Sequence, residues 1–415
     1  MSGKHSKEND ELPKAFRKDE NNETPKALRY NQELPKSFQN FDSDNNNTRK
    51  GDSQYSGQRI NEEESQSNSE EFNPNMKRGE KVEKPRKKKR HIFRNIGIIS
   101  AGYGYIQDKL GKIQKVDINK EDLGISEEAS ESLTEYRNIA LFGVDSRNHN
   151  LEKGNRSDCI IIASINNNTK EVKLISVYRD TYVQIQGHGL DKITHAYSYG
   201  SAQLALNTLN TNLDLNISEF ATVNFDVVAD AVDELGGIEI NIESQQEMKY
   251  LNDYIVETSK VTGKSTPNVT RTGKQTLNGV QAVSYSRIRY TSGGDYKRTE
   301  RMRDVLTAML TKLKTKSLAE INKFADNILP KVYTNISAGD ILALTPSLMS
   351  YKITESIGWP YTTKGITKDR WYGVPVTLEK NVIQLHQEAF GETDYIPSEK
   401  VKSISNQIIK KTGYQ

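Results

Sequence analysis

The chain has 415 residues, a formal net charge of +3 at pH 7 and one cysteine, Cys159. This length suits one large domain or two ordinary ones. The near-neutral charge gives no whole-chain reason to expect nucleic-acid binding, and a single cysteine excludes an intramolecular disulfide and a zinc site built on several thiolates. The six histidines are scattered without a His-x-x-x-His pair near a glutamate, which disfavours a zinc hydrolase.

Residues 1–90 contain few aliphatic side chains and many Asn, Glu, Lys, Ser and Gln. Such a segment cannot bury enough apolar surface to offset the entropy of ordering, so we predict a disordered polar tail. The sequences LPKAFR, TPKALR and LPKSFQ form a degenerate repeat in it, beginning at Leu12, Thr24 and Leu34. Duplication drift in a tail is the favoured interpretation, and a short linear motif shown three times to a partner is the alternative.

A basic cluster at residues 84–94 precedes an apolar run at 95–106. This order is typical of a membrane anchor whose amino end is cytoplasmic. A spanning helix needs about 20 apolar residues, and this run offers little more than half of that. We therefore predict a short membrane-proximal segment over 91–110, either interfacial or a truncated anchor, and a linker over 111–135. The run lacks a small-residue cleavage site, so a cleaved signal peptide is not supported.

From residue 136 the pattern becomes that of a globular domain. NIALFGV, CIIIASIN and VKLISVY, beginning at Asn138, Cys159 and Val172, predict three buried strands. The Asn/Thr-rich connection between the second and third strands favours an antiparallel hairpin.

Helices and strands then alternate. HAYSYGSAQLALNTLNTNL from His195 has helical spacing, and FATVNF from Phe220 predicts a strand. DVVADAVDELGG predicts a helix with Asp226 as N-cap and Gly236 as the left-handed residue at its end, before the strand IEINI. This order predicts the α/β class, with a β-sheet covered by helices on both faces.

Charged residues are predicted to collect at one edge of this sheet. Asp145 follows the first strand and Asp158 begins the second, so antiparallel pairing brings both carboxylates to one edge. The third strand returns to that edge and ends at Arg179. Three more charged residues belong there: Arg147, Arg156 and Asp180.

VSYSRIRY alternates with a period of two, which predicts a strand with Arg287 and Arg289 on one face. YKRTERMRDVL then predicts a helix with Arg298 and Arg301 three residues apart and Asp295 as its cap. Paired acids with a ring of arginines suit a metal-bound polyphosphate, because Mg²⁺ prefers carboxylate and phosphate oxygens and arginine grips phosphate.

Each of these features also has an ordinary structural explanation. An aspartate at a strand end is more often a turn former than a ligand, an Arg-x-Arg pair is often a surface face, and the acids and bases can pair with each other. We favour a site because several independent features predict one locus. The residues alone predict magnesium-dependent handling of a phosphorylated ligand.

The ordered motifs FGVDSR, RSDCIIIASI, SVYRDTYV, KITHAYSYG, VNFDVVADAVDELGGIEINI, LNGVQAVSYSRIRY and GDYKRTERMR resemble the LytR-CpsA-Psr (LCP) family over residues 136–313. The resemblance implies an α/β catalytic domain with a central mixed β-sheet and a hydrophobic tunnel, completed by residues 314–415. In the latter, SLAEINKFADNIL and GDILALTPSLMSY predict two helices and residues 371–376 a late strand.

The family resemblance implies a phosphotransferase of Gram-positive envelopes. It would move a glycopolymer, of the wall teichoic acid or capsule type, from a polyprenyl-pyrophosphate carrier to peptidoglycan, with pyrophosphatase activity as a side reaction. The implied location is the cell membrane surface, with the catalytic domain extracellular and the tail cytoplasmic.

Residue by residue, Asp145 and Asp158 match the family's Mg²⁺ and catalytic acids, and Asp145 would accept the proton of the acceptor hydroxyl. Arg179 is counted among the catalytic residues as well. The pyrophosphate would be gripped by Arg179, Arg287, Arg289 and Arg298, with Arg147 and Arg301 as further contributors. Two positions depart from the family's pattern: Met302 stands where Gln is usual, and Cys159 where a small hydroxyl residue is common.

Two other classes of protein stay open. A transcriptional regulator or attenuator would need a recognition helix, and the globular part shows no helix-turn-helix pattern, so no specific nucleic acid is expected. A non-catalytic polyprenyl-phosphate or glycan binder would tolerate the loss of an aspartate. The presence of both Asp145 and Asp158 favours the enzyme.

Overall fold

The computed structural model describes residues 114–146, 150–291, 293–337, 339–341 and 345–415. The predictions for the polar tail with its repeats and for the apolar segment over 91–110 lie outside these residues. By its contacts the chain divides into residues 1–89 and 90–415, and the described residues all belong to the second unit. Among the helices described, none combines the length and the apolar character needed to cross a membrane.

A mixed β-sheet forms the centre of the domain. In the part of the chain that the structure describes, its strands are β1 (Gln114–Lys115), β2 (Tyr136–Val144), β3 (Ser157–Asn166), β4 (Glu171–Val177), β7 (Glu219–Asn224), β10 (Tyr333–Thr334) and β11 (Lys352–Trp359). They lie in the order β1-β10-β7-β2-β3-β4-β11. The pairs β2/β3 and β3/β4 are antiparallel, whereas β7 runs parallel to β2 and β11 runs parallel to β4.

Within the described residues, three two-stranded ribbons accompany the central sheet. They are β5 (Tyr182–Ile185) with β6 (Gly189–Lys192), β8 (Ile238–Ile242) with β9 (Gly273–Leu277), and β12 (Thr363–Thr367) with β13 (Trp371–Pro375). The helices are α1 (Glu127–Ser132), α2 (Ile193–Leu213), α3 (Phe225–Glu234), α4 (Gln245–Thr262), α5 (Gly279–Arg287), α6 (Gly294–Lys314), α7 (Leu318–Ile328), α8 (Leu378–Phe390) and α9 (Glu399–Thr412). The predicted α/β class with a central mixed sheet is confirmed.

The two faces of the central sheet are packed differently. On one face Phe142 and Ile162 are fully buried in a large apolar cluster that includes Leu209 of α2, Leu385 of α8 and Ile404 of α9. Because side chains alternate along a strand, the residues between them point to the other face. That face packs against α6 and α7. Ile161 and Leu174 are buried there, whereas the following apolar side chains are partly buried: Leu141, Ala163, Ile165, Ala221 and Val223.

Local signals explain most of the helix boundaries. Gly236 has a φ of +79° just after α3, as predicted for the left-handed position. The N-cap of α3 is Asn224, whose side chain accepts from the backbone N–H of Val227, so the prediction of Asp226 as N-cap was wrong. Asp226 lies in the first turn instead, where a carboxylate favours the positive end of the helix dipole.

The segment VSYSRIRY is helical up to Arg287, so the predicted strand was wrong. Asn278 and Gln281 form a capping box that starts α5, because each side chain accepts from the other residue's backbone N–H. Every residue of α5 from Gly279 to Ser286 is buried. A helix that is buried on all sides lacks the amphipathic period from which helices are predicted.

Two other predictions need correction. The predicted linker over 111–135 contains α1, and its residues Leu123 and Leu133 are completely buried in the core, so this segment belongs to the domain. Asp295 lies in the first turn of α6, whose N-cap is Gly293. The helix predicted over SLAEINKFADNIL and the late strand are confirmed as α7 and β13, whereas Thr345–Ser350 form a 3₁₀ helix.

Candidate active site

The carboxylate of Asp158 and the guanidinium of Arg179 meet at one edge of the central sheet. The β2/β3 register shifts between Gly143, which pairs with Cys159, and Val144, which pairs with Ser157, so Asp158 is the extra residue of a β-bulge. Bulges commonly re-aim a side chain beside a functional site. Arg179 follows β4, and its Nη1 donates to Asp158 Oδ1 at 2.5 Å. The predicted convergence of these two residues is confirmed.

Arg289 approaches the same edge from the segment that follows α5. Its Nη2 lies 3.7 Å from Asp158 Oδ2, and its Nε lies 3.8 Å from Asp295 Oδ1. The Arg289 side chain is 45% exposed, and ion pairs of such length and exposure contribute little to stability. Arg289 therefore presents its positive charge to a ligand at the protein surface.

Arg298 is buried beneath this edge. Its side chain is 2% exposed, and its Nη2 lies 3.3 Å from Asp295 Oδ1. Among the described residues, neither Nε nor Nη2 of Arg298 has a hydrogen-bond partner, and Arg179 Nε has none either. Burial lowers the pKa of Arg298, against the opposite influence of the Asp295 charge. Buried donors normally find an acceptor, and an anion bound at this edge would supply acceptors for these N–H groups.

Two carboxyl groups complete the edge, those of Asp180 and Asp295. The two carboxyl groups influence each other's charge, and neighbouring acids do not ionise independently. Burial raises the pKa of Asp295. Burial acts in the same direction on Asp180, but the Lys192 ammonium at 2.6 Å and the Arg179 guanidinium outweigh it and lower the pKa of Asp180.

We refer to the following residues as the arginine–aspartate cluster: Asp158, Arg179, Asp180, Arg289, Asp295 and Arg298. The sequence predicts Asp180 at this edge as the neighbour of Arg179, and it predicts Asp295 only as the cap of a helix. Lys192, which fixes Asp180, was missed altogether. It is the last residue of β6, and nothing in its sequence neighbourhood marks it as a partner of a residue 12 positions away.

The structure places two of the predicted arginines in other contacts. Arg287 Nη2 donates to Glu257 Oε1 at 3.0 Å, and its guanidinium lies 4.6 Å from the ring centroid of Phe225. The reason is that α5 is a helix, so Arg287 and Arg289 do not alternate along a strand. Among the described residues, Arg289 lies within 4 Å of Asp158, whereas Arg287 pairs with Glu257.

Arg301 lies on α6 but is fully engaged by the protein. Its Nε donates to Glu247 Oε1 at 2.8 Å, its Nη1 to the Ile288 carbonyl at 3.2 Å and its Nη2 to Thr291 Oγ1 at 2.8 Å. The side chains of Arg301 and Glu247 are 1% and 2% exposed. The hydrogen bonds from Arg301 to Ile288 and Thr291 thus hold the chain in place on both sides of Arg289.

The two acids predicted as metal ligands stand at the same edge. Asp145 directly follows Val144, whose cross-strand partner Ser157 precedes Asp158. In the described part of the chain, no group of three or more His, Cys, Asp or Glu side chains forms a candidate metal site. Mg²⁺ is often held by one or two carboxylates together with phosphate oxygens and water, so this donor set fits a metal that arrives with a phosphorylated ligand. Arg147 lies outside the described residues.

Apolar side chains line the face of the sheet next to the cluster. Cys159 follows Asp158, and both Cys159 and Leu306 of α6 pack against a buried apolar cluster that includes Ile161. Burial raises the pKa of the Cys159 thiol to about 12. Farther from the edge, Val223, Met309 and Phe324 pack against a second buried apolar cluster.

Buried guanidinium groups and clustered acids at the edge of a mixed α/β sheet suit the binding of a phosphorylated ligand. The LytR_cpsA_psr family model matches residues 102–384 of the chain. This protein therefore belongs to the LytR_cpsA_psr family, as its ordered motifs predicted.

Relatives with curated names share its sequence. The chain is 32% identical over 234 residues to the polyisoprenyl-teichoic acid–peptidoglycan teichoic acid transferase TagT of Bacillus subtilis (strain 168), covering 55% of this chain and 70% of that protein. It is 31% identical over 264 residues to the transferase TagU of Bacillus cereus (strain ATCC 14579), covering 60% and 80%. The homologues are thus named as teichoic acid transferases.

A solved structure shares the fold. The crystal structure of protein gbs0355 from Streptococcus agalactiae matches with a TM-score of 0.53 and 26% sequence identity, covering 66% of this chain and 93% of that chain. This likeness supports the assignment of the fold.

Proposed function

We propose that this protein is a magnesium-dependent phosphotransferase that moves a glycopolymer from a polyprenyl-pyrophosphate carrier to peptidoglycan. The observation that carries the proposal is the buried guanidinium of Arg298, with two N–H groups that lack acceptors among the described residues. A pyrophosphate supplies such acceptors. The names of the relatives TagT and TagU, which include a polyisoprenyl-linked teichoic acid and peptidoglycan, support the choice of donor and acceptor.

The arginines of the cluster have distinct tasks in this proposal. Arg298, buried and held by α6, binds the pyrophosphate from below, and the exposed Arg289 binds it from the solvent side. Arg179 is oriented by Asp158 and keeps its Nε for the ligand. Fixed cations at a reaction centre stabilise the charge that develops on phosphate oxygens, which is the main catalytic contribution in phosphoryl transfer.

The transfer forms one phosphorus–oxygen bond and breaks another. A hydroxyl oxygen of peptidoglycan attacks the phosphorus attached to the glycopolymer, and the bond from that phosphorus to polyprenyl phosphate breaks. Asp145 accepts the proton of the attacking hydroxyl. The products are a glycopolymer–peptidoglycan phosphodiester and polyprenyl phosphate. Water in place of the hydroxyl gives a pyrophosphatase side reaction.

Asp145 and Asp158 are the residues that would hold Mg²⁺. When bound with the pyrophosphate, Mg²⁺ would neutralise part of its negative charge. Both Asp158 oxygens are within 4 Å of a guanidinium group, at 2.5 Å and 3.7 Å. We therefore expect Arg289, whose contact is longer and whose side chain is exposed, to turn from Asp158 towards the phosphate when the donor binds.

The polyprenyl chain is proposed to enter the partly buried apolar face between the sheet and helices α6 and α7. Leu141, Leu306 and Val223 lie along this face. Burying prenyl C–H groups there stabilises the complex by about 25 cal/mol for each Å² of apolar surface removed from water. The donor lies in the membrane, so the catalytic domain would work at the outer membrane surface with the amino-terminal tail in the cytoplasm.

The proposal is tested by calorimetric titration of the full chain with geranyl pyrophosphate, a soluble short-chain analogue of the donor. Arg298→Met removes the buried guanidinium, and Arg271→Met makes the same chemical change at an exposed arginine. Charged hydrogen bonds contribute about 1.5–3 kcal/mol, so we expect Arg298→Met to weaken binding by about 10-fold to 100-fold. Equal affinity in wild type and Arg298→Met would overturn the assignment of the pyrophosphate site.

A second measurement separates the enzyme from a lipid-binding protein. The full chain is incubated with Mg²⁺, peptidoglycan and a polyprenyl-pyrophosphate glycan, and polyprenyl phosphate is measured by mass spectrometry. Turnover that requires Asp158 supports the transferase. Tight binding of the donor without polyprenyl phosphate formation supports the binder.

A further inference from the structure

The ribbon β12/β13 carries a tryptophan whose position the phosphate chemistry does not explain. Gly365 and Gly373 lie directly opposite each other in this ribbon. A Cβ atom built on Gly365 would lie 2.7 Å from Trp371 Nε1, and one built on Gly373 would lie 3.3 Å from Trp371 Cη2. The indole ring therefore rests along the backbone of both glycines, and the missing Cβ of Gly365 is what lets it lie so close.

The outer side of this ring is open to solvent. Trp371 is 45% exposed, whereas Trp359, the other tryptophan of the sequence, is completely buried and donates its Nε1–H to the Asn381 carbonyl at 3.1 Å. Packing on two glycines accounts for the inner side of the Trp371 ring. The outer side of the ring is left available for contact with a ligand.

The ribbon is attached to the arginine–aspartate cluster on both of its strands. The backbone N–H of Gly373 donates to the Asp180 carbonyl at 2.9 Å. Thr363 Oγ1 lies 2.7 Å from the hydroxyl of Tyr296, which follows Asp295 in α6. Thr363 and Gly365 are two residues apart on the same side of β12, a separation of about 7 Å. The Trp371 ring is thus held close beside the proposed pyrophosphate site.

We propose that Trp371 is a stacking platform for a pyranose ring of a glycan chain, next to the pyrophosphate site. The inference rests on the proposed function and adds a sugar subsite to it. A pyranose presents one face of C–H groups, which packs on the electron-rich face of an aromatic ring. The two glycines hold the indole in one orientation, so little side-chain freedom is lost when the sugar binds.

Two glycans bring this chemistry to the site. One is the sugar attached to the donor pyrophosphate, and the other is the N-acetylhexosamine strand of peptidoglycan. Both would lie beside the phosphate, because the reaction joins them there. The experiment therefore uses one soluble probe for each source.

The test measures acrylamide quenching of tryptophan fluorescence in the full chain. Since Trp359 is buried, quenching reports chiefly on Trp371. The probe for the acceptor is a β-1,4-linked N-acetylglucosamine tetramer, and the probe for the donor is a soluble teichoic acid fragment that keeps its linkage sugars. Poly(glycerol phosphate) without sugars is the control. Because ligands bury most of the surface they contact, we expect a sugar-containing probe to lower the quenching constant about twofold.

Two variants distinguish a platform from a structural tryptophan. Trp371→Ala removes the ring, and Gly365→Ala keeps the ring but pushes it away, because the new Cβ would meet Nε1 at 2.7 Å. We expect each to raise the glycan dissociation constant about tenfold, equivalent to ~1.4 kcal/mol. Leu318→Ala, at an exposed apolar residue of α7, should leave it unchanged.

Protection of Trp371 by either sugar probe supports the proposal and identifies the source of the glycan. If neither sugar probe protects Trp371, or if both variants bind glycan like the wild type, the proposal is overturned. Geranyl pyrophosphate binding is measured on the same samples. If the wild type does not bind geranyl pyrophosphate, the proposed phosphate site is contradicted. If the wild type and all variants bind it, a negative glycan result concerns the platform alone.

Discussion

Replacing Arg298 by methionine is expected to make the unliganded protein more stable. The Arg298 side chain is 2% exposed, and its Nε and Nη2 lack hydrogen-bond partners among the described residues. Each unsatisfied buried donor costs about 1–3 kcal/mol. The opposing contribution is one ion pair at 3.3 Å to Asp295, whose side chain is 35% exposed, and pairs with a solvent-exposed partner contribute about 0–1 kcal/mol.

The donor penalty therefore exceeds the ion-pair contribution. Asp295 is not left as an isolated buried charge, because its side chain is 35% exposed and burial raises the pKa of its carboxyl. We expect Arg298→Met to raise the free energy of unfolding by about 1–3 kcal/mol, since methionine fills the space without buried polar atoms. At about 2–4 °C per kcal/mol for a domain of this size, the melting temperature should rise by several degrees.

The assay is urea unfolding of the full chain, with and without geranyl pyrophosphate. Ligand at 100 times its dissociation constant adds ~2.7 kcal/mol to the wild type, and Arg298→Met should lose most of that gain. Arg271→Met is the control for the chemical change. If Arg298→Met lowers the stability of the unliganded protein by several kcal/mol, Arg298 is a structural residue and the reasoning about its unpaired donors is wrong.

Three further outcomes follow from the contacts around the site. Arg289→Ala should weaken geranyl pyrophosphate binding about tenfold or more, whereas Arg287→Ala should chiefly lower stability. Calorimetric titration and thermal unfolding of both variants test this, and the reverse pattern of effects would contradict it. Glu247→Gln leaves Arg301 buried without its partner carboxylate and should cost about 3–5 kcal/mol; an unchanged urea midpoint would contradict this. Burial raises the pKa of the Cys159 thiol to about 12. Ellman's reagent should therefore label the folded chain much more slowly than the urea-unfolded chain, and equal labelling rates would contradict this.

Short apolar runs predicted the sheet and its edge. The strands β2, β3 and β4 are apolar runs joined by turn residues, and antiparallel pairing then fixes where their ends lie. Asp158 and Arg179 could be placed together for this reason. Their exact contact depends on a bulge of one residue, which no period reveals.

Helix α5 shows why Arg287 and Arg289 were placed together. Its last residues alternate like a strand, but the capping box of Asn278 and Gln281 and burial on all sides make it a helix. Tertiary packing overrides a short alternating pattern. The result separates Arg287, which pairs with Glu257, from Arg289.

The role of Arg301 could not be predicted from its spacing on α6. Arg298 and Arg301 are three residues apart and equally buried, yet Glu247 on α4 neutralises only Arg301. The partner lies 54 residues away in the sequence. Such long-range pairing decides which of two similar arginines stays available to a ligand.

In the proposed function, the arginine–aspartate cluster catalyses the transfer of a glycopolymer from its lipid carrier to peptidoglycan. The most direct measurement follows a radiolabelled polyprenyl-pyrophosphate glycan incubated with the full chain and peptidoglycan, with Mg²⁺ or with a chelator. We expect label to appear on peptidoglycan together with polyprenyl phosphate, and Asp158→Asn, Arg298→Met and the chelator each to abolish both. Transfer that persists in Asp158→Asn and Arg298→Met would contradict the account.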